Sequence, residues 1–319
     1  MASVQPVTRD QLIAQLEEMK GQVINPAAGI FGPDSMFWRV IRHSASFVGA
    51  GRAVLLQTAH PWVANGVKQH SRTLDDPLGR FRGTFTNVFA MVFGNLDQVV
   101  NSSLKVHDIH RKIVGKVEEA SGAFADGSRY MANEVNAMIW VHATLWEGAV
   151  KMYEMFVGPL TAEEKERYYQ ESKMFAYLFG IPEQALPPNW NEFLEYNEQM
   201  WYSDQLSVQA AAQEIGGFLF TFSPILKPVL NRYEIITSLL LPEPIREQYG
   251  MTPDTPRSRQ LFERNIRLIK RVYPHLPNHL KYLPPYIEAQ RRLKGKHTPG
   301  LVTGTLNKLI LGQSALVSA

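Results

Sequence analysis

Residues 132–156, ANEVNAMIWVHATLWEGAVKMYEMF, decide the fold. Over its first half this stretch is apolar around most of a helical circumference, and a helix of that kind lies at the centre of a domain, not on its surface. No run of alternating apolar and polar residues bounded by turn signals marks a strand elsewhere. The sequence therefore predicts an all-α fold, a single large helical domain with a buried core. The expected divisions are an N-terminal helix and loop over 1–30, the helical domain over 31–295 and a tail over 296–319.

Working outward toward the N-terminus, residues 79–115 read as two helices, GRFRGTFTNVFAMVF stopped by Gly94 and a second helix over 95–115 that carries His107 and His110. Asp75, Asp76 and Pro77 mark the start of the first, with proline near the first helical position and the acids near the positive dipole end. Further back, the apolar run 46–67 is broken by Arg52, His60 and Pro61. Pro61 has no N–H for the carbonyl of Gln57, which predicts a kink or restart at His60 and a free carbonyl beside it. A short amphipathic helix is expected over 8–21, with Thr8 as its cap.

Toward the C-terminus, 161–179 is a helix opened by a capping signature in Thr161 and Glu164. A proline-rich loop comes next, then helices over 189–202 and 207–222. Prolines divide the final third into short helices, of which 257–273 is the best defined. The end, 298–319, is small, weakly apolar and interrupted by glycine, and is expected to dock loosely.

Composition removes whole classes of function. With 45% apolar and 20% charged residues in 319, the chain has material for a sizeable core and is not disordered. The balance of 33 basic and 30 acidic residues, +3, implies no nucleic-acid footprint. Cysteine is absent, which excludes disulfides, thiolate-ligated iron, iron–sulfur clusters and cysteine nucleophiles. The N-terminus lacks a secretory pattern and no segment stays uncharged long enough to cross a bilayer, so a cytoplasmic location is expected. The oligomeric state is not legible.

Among nine histidines, His107 and His110 stand out because a three-residue spacing makes them neighbours on one helix. Alone, a histidine on an amphipathic helix is most often a surface or hydrogen-bonded residue. Opposite them in the same stretch, Arg80 and Arg82 sit near a helix N-terminus, where a cation opposes the dipole and an anion would give it a reason. Guanidinium binds carboxylate in a bidentate fork, and Thr84, four residues from Arg80, shares its face. Imidazoles facing guanidiniums suit an anionic iron porphyrin, and without cysteine that means haem b on histidine. His142, among Trp140, Val141, Leu145 and Trp146, is either a core histidine bonded to a carbonyl or a pocket residue. His60 is open in the same way.

Competing sites lack their spacing. No histidine has a glutamate three residues before it, as di-iron bundles require, and no His-Glu-x-x-His occurs. A Gly-x-Ser-x-Gly elbow and a phosphate-binding glycine loop are also missing from the sequence.

The order of GRAVLLQTAHPWVANGVKQHS, DDPLGRFRGT, VFAMVFGN, VHDIHRKIVG, MIWVHATL, LLLPEPIREQYG and LPPYIEAQRRL resembles the MpaB-like oxygenase family, to which the latex clearing proteins, or rubber oxygenases, belong. The resemblance spans about residues 31–294. It implies a b-type haem in a helical core, with His110 as the proximal iron ligand and Arg80 and Thr84 as the family's Arg-x-x-x-Thr pair. Arg82 and Thr86 repeat that spacing. A lysine that precedes the threonine in the rubber-cleaving branch is Gly83 here, and the family's carboxylate on the kinked helix has no match in 62–66, which holds Asn65. The resemblance thus leads to the expectation of a haem-dependent oxygenase using dioxygen on a small apolar substrate, unsaturated or terpenoid. His60 and His142 are its candidate catalytic residues, with Arg80, Arg82, Thr84, His107 and His110 around the cofactor. A non-catalytic haem carrier or sensor is the alternative, and a helical ligand-binding protein that has lost haem a third.

Overall fold

The structure, a computed structural model, describes residues 6–71, 76–221 and 223–316. In chain order its helices are α1 (Arg9–Gly21), α2 (Met36–Ile41), α3 (Ala50–Thr58), α4 (Pro61–His70), α5 (Pro77–Phe93), α6 (Leu96–His110), α7 (Val135–Phe156) and α8 (Ala162–Tyr177). They continue as α9 (Trp190–Trp201), α10 (Ala210–Thr221), α11 (Lys227–Leu240), α12 (Glu243–Gln248), α13 (Pro256–Val272), α14 (Asn278–Lys281), α15 (Pro284–Leu293) and α16 (Leu301–Leu311). Two three-residue strands, β1 (Val114–Lys116) and β2 (Arg129–Met131), pair antiparallel between α6 and α7. The architecture is all-α, as the periodicity predicts.

The stretch 132–156 forms α7, capped by the Glu134 carboxylate accepting from the Ala137 N–H. Trp140 and Trp146 are buried on it, and the Trp140 indole N–H donates to the Leu56 carbonyl of α3 at 2.8 Å. Full burial of such a side chain stabilises by about 1.5–3 kcal/mol, provided its polar end finds a partner. Around α7 pack α2, α3, α8, α9 and α13. Trp38 of α2 repeats the device, donating to the Val92 carbonyl of α5 at 2.6 Å.

Local signals set several boundaries where the sequence places them. The chain breaks between α3 and α4 at Ala59 and His60, with Pro61 opening the new helix. The expected free carbonyl is absent, because the His60 N–H donates to the Gln57 oxygen at 3.2 Å and closes a tighter turn. Thr161 and Glu164 form the capping box of α8.

Two departures have long-range causes. The second histidine-bearing helix stops at His110, not 115, because β1 pairs with β2 just beyond; a three-residue strand is too short to show a period of two. Residues 301–316 are no loose tail: α16 packs on α5 and α15, Leu311 and Leu316 are buried, and Glu288 accepts from the Leu316 N–H. Among the described residues no helix is long and apolar enough to cross a membrane.

Candidate functional site

The C-terminal end of α6, the first half of α7 and the end of α8 converge on one aromatic ring, Phe179. The His142 ring meets it edge-on with centroids 4.5 Å apart, and the His110 ring lies 6.2 Å away. His142 also stacks on Trp146 at 5.5 Å and meets Phe175 at 5.4 Å. Its Nδ1 is buried without a hydrogen bond. Burial first, and the nearby His110 second, push His142 down to about 3 from the usual imidazole value. His142 is therefore neutral at physiological pH, with a ring nitrogen that has no partner among the described residues.

His107 and His110, neighbours by spacing, have different surroundings. His107 is buried, its Nε2 3.1 Å from the Val7 carbonyl, and its own carbonyl accepts from the Asn133 amide at 3.4 Å. The Val7 N–H donates to the Asn133 carbonyl at 3.0 Å. Gly180, at φ +78° just past α8, admits this strap, since a Cβ there would lie 2.3 Å from a Val7 methyl. His110 is half-buried and lines a cavity of about 250 Å³ whose walls include Pro6, Val7, His107, Met131 and Asn133. Pockets for drug-sized ligands run to about 300–1,000 Å³. As it stands, then, the cavity takes a small molecule or one edge of a macrocycle.

His60 occupies the break between α3 and α4, where it packs on Phe124 at 5.1 Å and Trp62 at 6.1 Å and makes no capping bond. Burial lowers it to about 4, and its Nδ1 also lacks a hydrogen bond. Its described ring neighbours are not those of His142. Asn65, where a catalytic carboxylate would be looked for, is buried and committed: its amide donates to Pro61 at 2.9 Å and Gln209 at 2.7 Å, and its oxygen accepts from the Glu118 N–H at 3.2 Å.

The side chain of Arg80 lies outside the described residues, as does Asp75. Thr84 is exposed. Arg82 donates from Nη2 to the Leu309 carbonyl of α16 at 3.3 Å, and its Nε is buried without a partner.

Sequence reasoning passed over a carboxylate on the central helix. Glu147 accepts from Nη1 of Arg52 in an ion pair between α7 and α3, and Arg52 is only 1% exposed. Arg52 Nε donates to the Leu240 carbonyl at 2.8 Å, and its guanidinium lies 5.9 Å from the Trp201 ring. The signal was available: an arginine breaking one apolar run and a glutamate interrupting another. Phe179, the ring that joins the two histidines, and Phe175 beside it carried no signal beyond core periodicity.

Among the described residues no three His, Asp or Glu side chains gather in a way that could hold a metal ion. A metal caged by protein alone needs more donors than that, whereas haem iron needs only an axial one. The donor chemistry thus fits a haem better than a multidentate centre.

The sequence model of one protein family, described as ER-bound oxygenase mpaB/B'/Rubber oxygenase, catalytic domain, matches residues 38–271, most of the chain. No curated protein and no solved structure matches the chain.

Proposed function

Because the chain belongs to the mpaB/rubber oxygenase catalytic-domain family, whose members are oxygenases, we propose that it is a cytoplasmic, haem b-dependent oxygenase that acts with dioxygen on a small apolar substrate, unsaturated or terpenoid. One observation carries the haem reading. A half-buried imidazole, His110, and a buried neutral one, His142, meet across Phe179, with no protein cage for a bare metal among the described residues.

When bound, haem b would supply the activation of dioxygen, its electronics set by the axial imidazole. His110 is assigned as that ligand. His107 holds the Val7 strap and would pack at the cofactor's edge. His142, uncharged and unbonded at Nδ1, can accept or hold a proton beside the substrate, as His60 can at the chain break. Trp146, Phe175 and Phe179 keep water from His142 and offer an apolar surface to a hydrocarbon chain. Arg80, Arg82 and Thr84 would hold the propionates; the unpartnered Nε of Arg82 is a donor suited to a carboxylate.

A second reading, a haem carrier or sensor without turnover, would use the same histidines to hold the group without opening it to a substrate. Stable six-coordinate spectra with no oxygen consumption would select it.

The test is haem occupancy. His110→Ala is expected to lose the Soret band of the reconstituted protein and to regain part of it with added imidazole, while His107→Ala keeps it with a modest shift. A full haem complement and unchanged spectrum in His110→Ala would move the ligand to His142 or His60.

A further inference from the structure

Away from the histidines, none of which lines it, α11 and α13 pack together through Ile236 and Ile266 and leave between them an outward-facing cavity of about 390 Å³. Arg232, Arg264, Arg267 and Arg271 line it with Asn265 and Leu268, and no carboxylate does. Arg267 has a neighbour in Glu263 at 3.7 Å, but among the described ion pairs none involves Arg232, Arg264 or Arg271. Residues 264, 268 and 271 have helical spacing, so these arginines lie along one stripe of α13. Four guanidiniums around one cavity repel each other unless an anion joins them, and their planar forks match phosphate oxygens.

Apolar side chains rim the same face. Leu268 is 55% exposed between the arginines, Val272 comes one turn later, and Val229, just before Arg232 on α11, is 63% exposed. At the head of α11, Ile225 is 91% exposed. A phosphate-binding groove for nucleic acid or a soluble phosphate ester gains nothing from protruding aliphatic groups. A bilayer surface does, because the basic groups meet headgroups while the apolar ones enter the acyl boundary.

We propose that the α11–α13 face is a peripheral docking site for an anionic phospholipid surface, with the arginine cavity taking a headgroup phosphate and Val229, Leu268 and Ile225 entering the interface. The proposal is independent of the haem assignment.

Co-sedimentation of the full chain with vesicles tests it. Vesicles of phosphatidylcholine containing about one part phosphatidylserine in five are expected to bind it, pure phosphatidylcholine vesicles not, and rising salt to weaken the association. Arg264→Gln with Arg271→Gln should reduce partitioning on the order of thirtyfold, from the usual contribution of a basic residue at a charged surface. Val229→Ser with Leu268→Ser should reduce it severalfold without altering its salt dependence. All four positions are exposed, and circular dichroism of each variant checks that folding is intact. Equal binding to neutral and anionic vesicles, or no loss in the arginine variant, overturns the proposal. So does an unaffected Val229 and Leu268 variant whose binding is competed fully by glycerol phosphate or by duplex DNA, which would reassign the cavity to a free phosphate ester or a nucleic acid.

Discussion

At His142 and again at Glu147, five residues further along α7, the central helix carries a titratable side chain into the interior, but the two are accommodated in opposite ways. His142 is surrounded by Phe175, Phe179 and Trp146 and is held neutral. Glu147 is met by Arg52, with Lys151 a further 3.8 Å from its other oxygen. A buried charge is tolerable when paired, and a buried imidazole when uncharged. The consequence is a division of labour: the Glu147 end is locked by its partner and serves as scaffold, while the His142 end keeps a nitrogen without a partner among the described residues, as the role proposed for it requires.

The largest effect that would break this comparison is at the paired end. Glu147→Ala strands the Arg52 guanidinium at 1% exposure and is expected to destabilise the protein by about 3–5 kcal/mol in urea unfolding. Arg52→Met combined with Glu147→Leu should recover most of that loss. If the double variant is as unstable as the single one, Arg52 is held chiefly by the Leu240 carbonyl and Trp201, not by the ion pair.

Next in size is the pH dependence of the neutral end. His142 sits at about 3 when folded, below its ordinary value of 6.5, so the unfolded chain binds a proton that the folded chain does not. Its contribution to stability is complete above pH 6.5 and is lost as pH falls from there toward 3, at about 1.4 kcal/mol per pH unit. His60, lowered to about 4, adds a second proton over the upper part of that window. Measured as the slope of unfolding free energy against pH near 5, His142→Phe should remove about one proton's worth. An unchanged slope would mean that His142 is solvated or charged in the fold.

The smallest effect sharpens the paired end. Lys151 is lowered by desolvation first and by Arg52 second, and its side chain remains 39% exposed at 3.8 Å from Glu147. Lys151→Met is expected to change stability by less than about 1 kcal/mol, since a partly exposed pair of that length contributes little. A larger loss would make the cluster a true triad.

The candidate site was legible in part. His110, His142 and His60 stood out in sequence, and all three lie at buried or half-buried positions among aromatic rings. Their division into a His110–His142 pair and a separate His60 was not legible, because Phe179 and Phe124 come from remote parts of the chain and look like ordinary core residues. Arg82 read as a helix-start charge, and its bond to Leu309 spans 227 residues of sequence.

By itself the sequence determined the all-α class, the centrality of α7, the restart at Pro61 and the capping box of α8. These arise from interactions closed within a few residues, namely helical hydrogen bonds, caps and the missing proline N–H. Tertiary structure alone decided that His107 would serve the Val7 carbonyl while His110 faces a cavity, that Arg52 would find Glu147, and that the chain's end would pack as α16 on α5. The physical reason is that a buried polar group must be paired or neutral, and which of the two it becomes depends on partners brought from elsewhere in the chain.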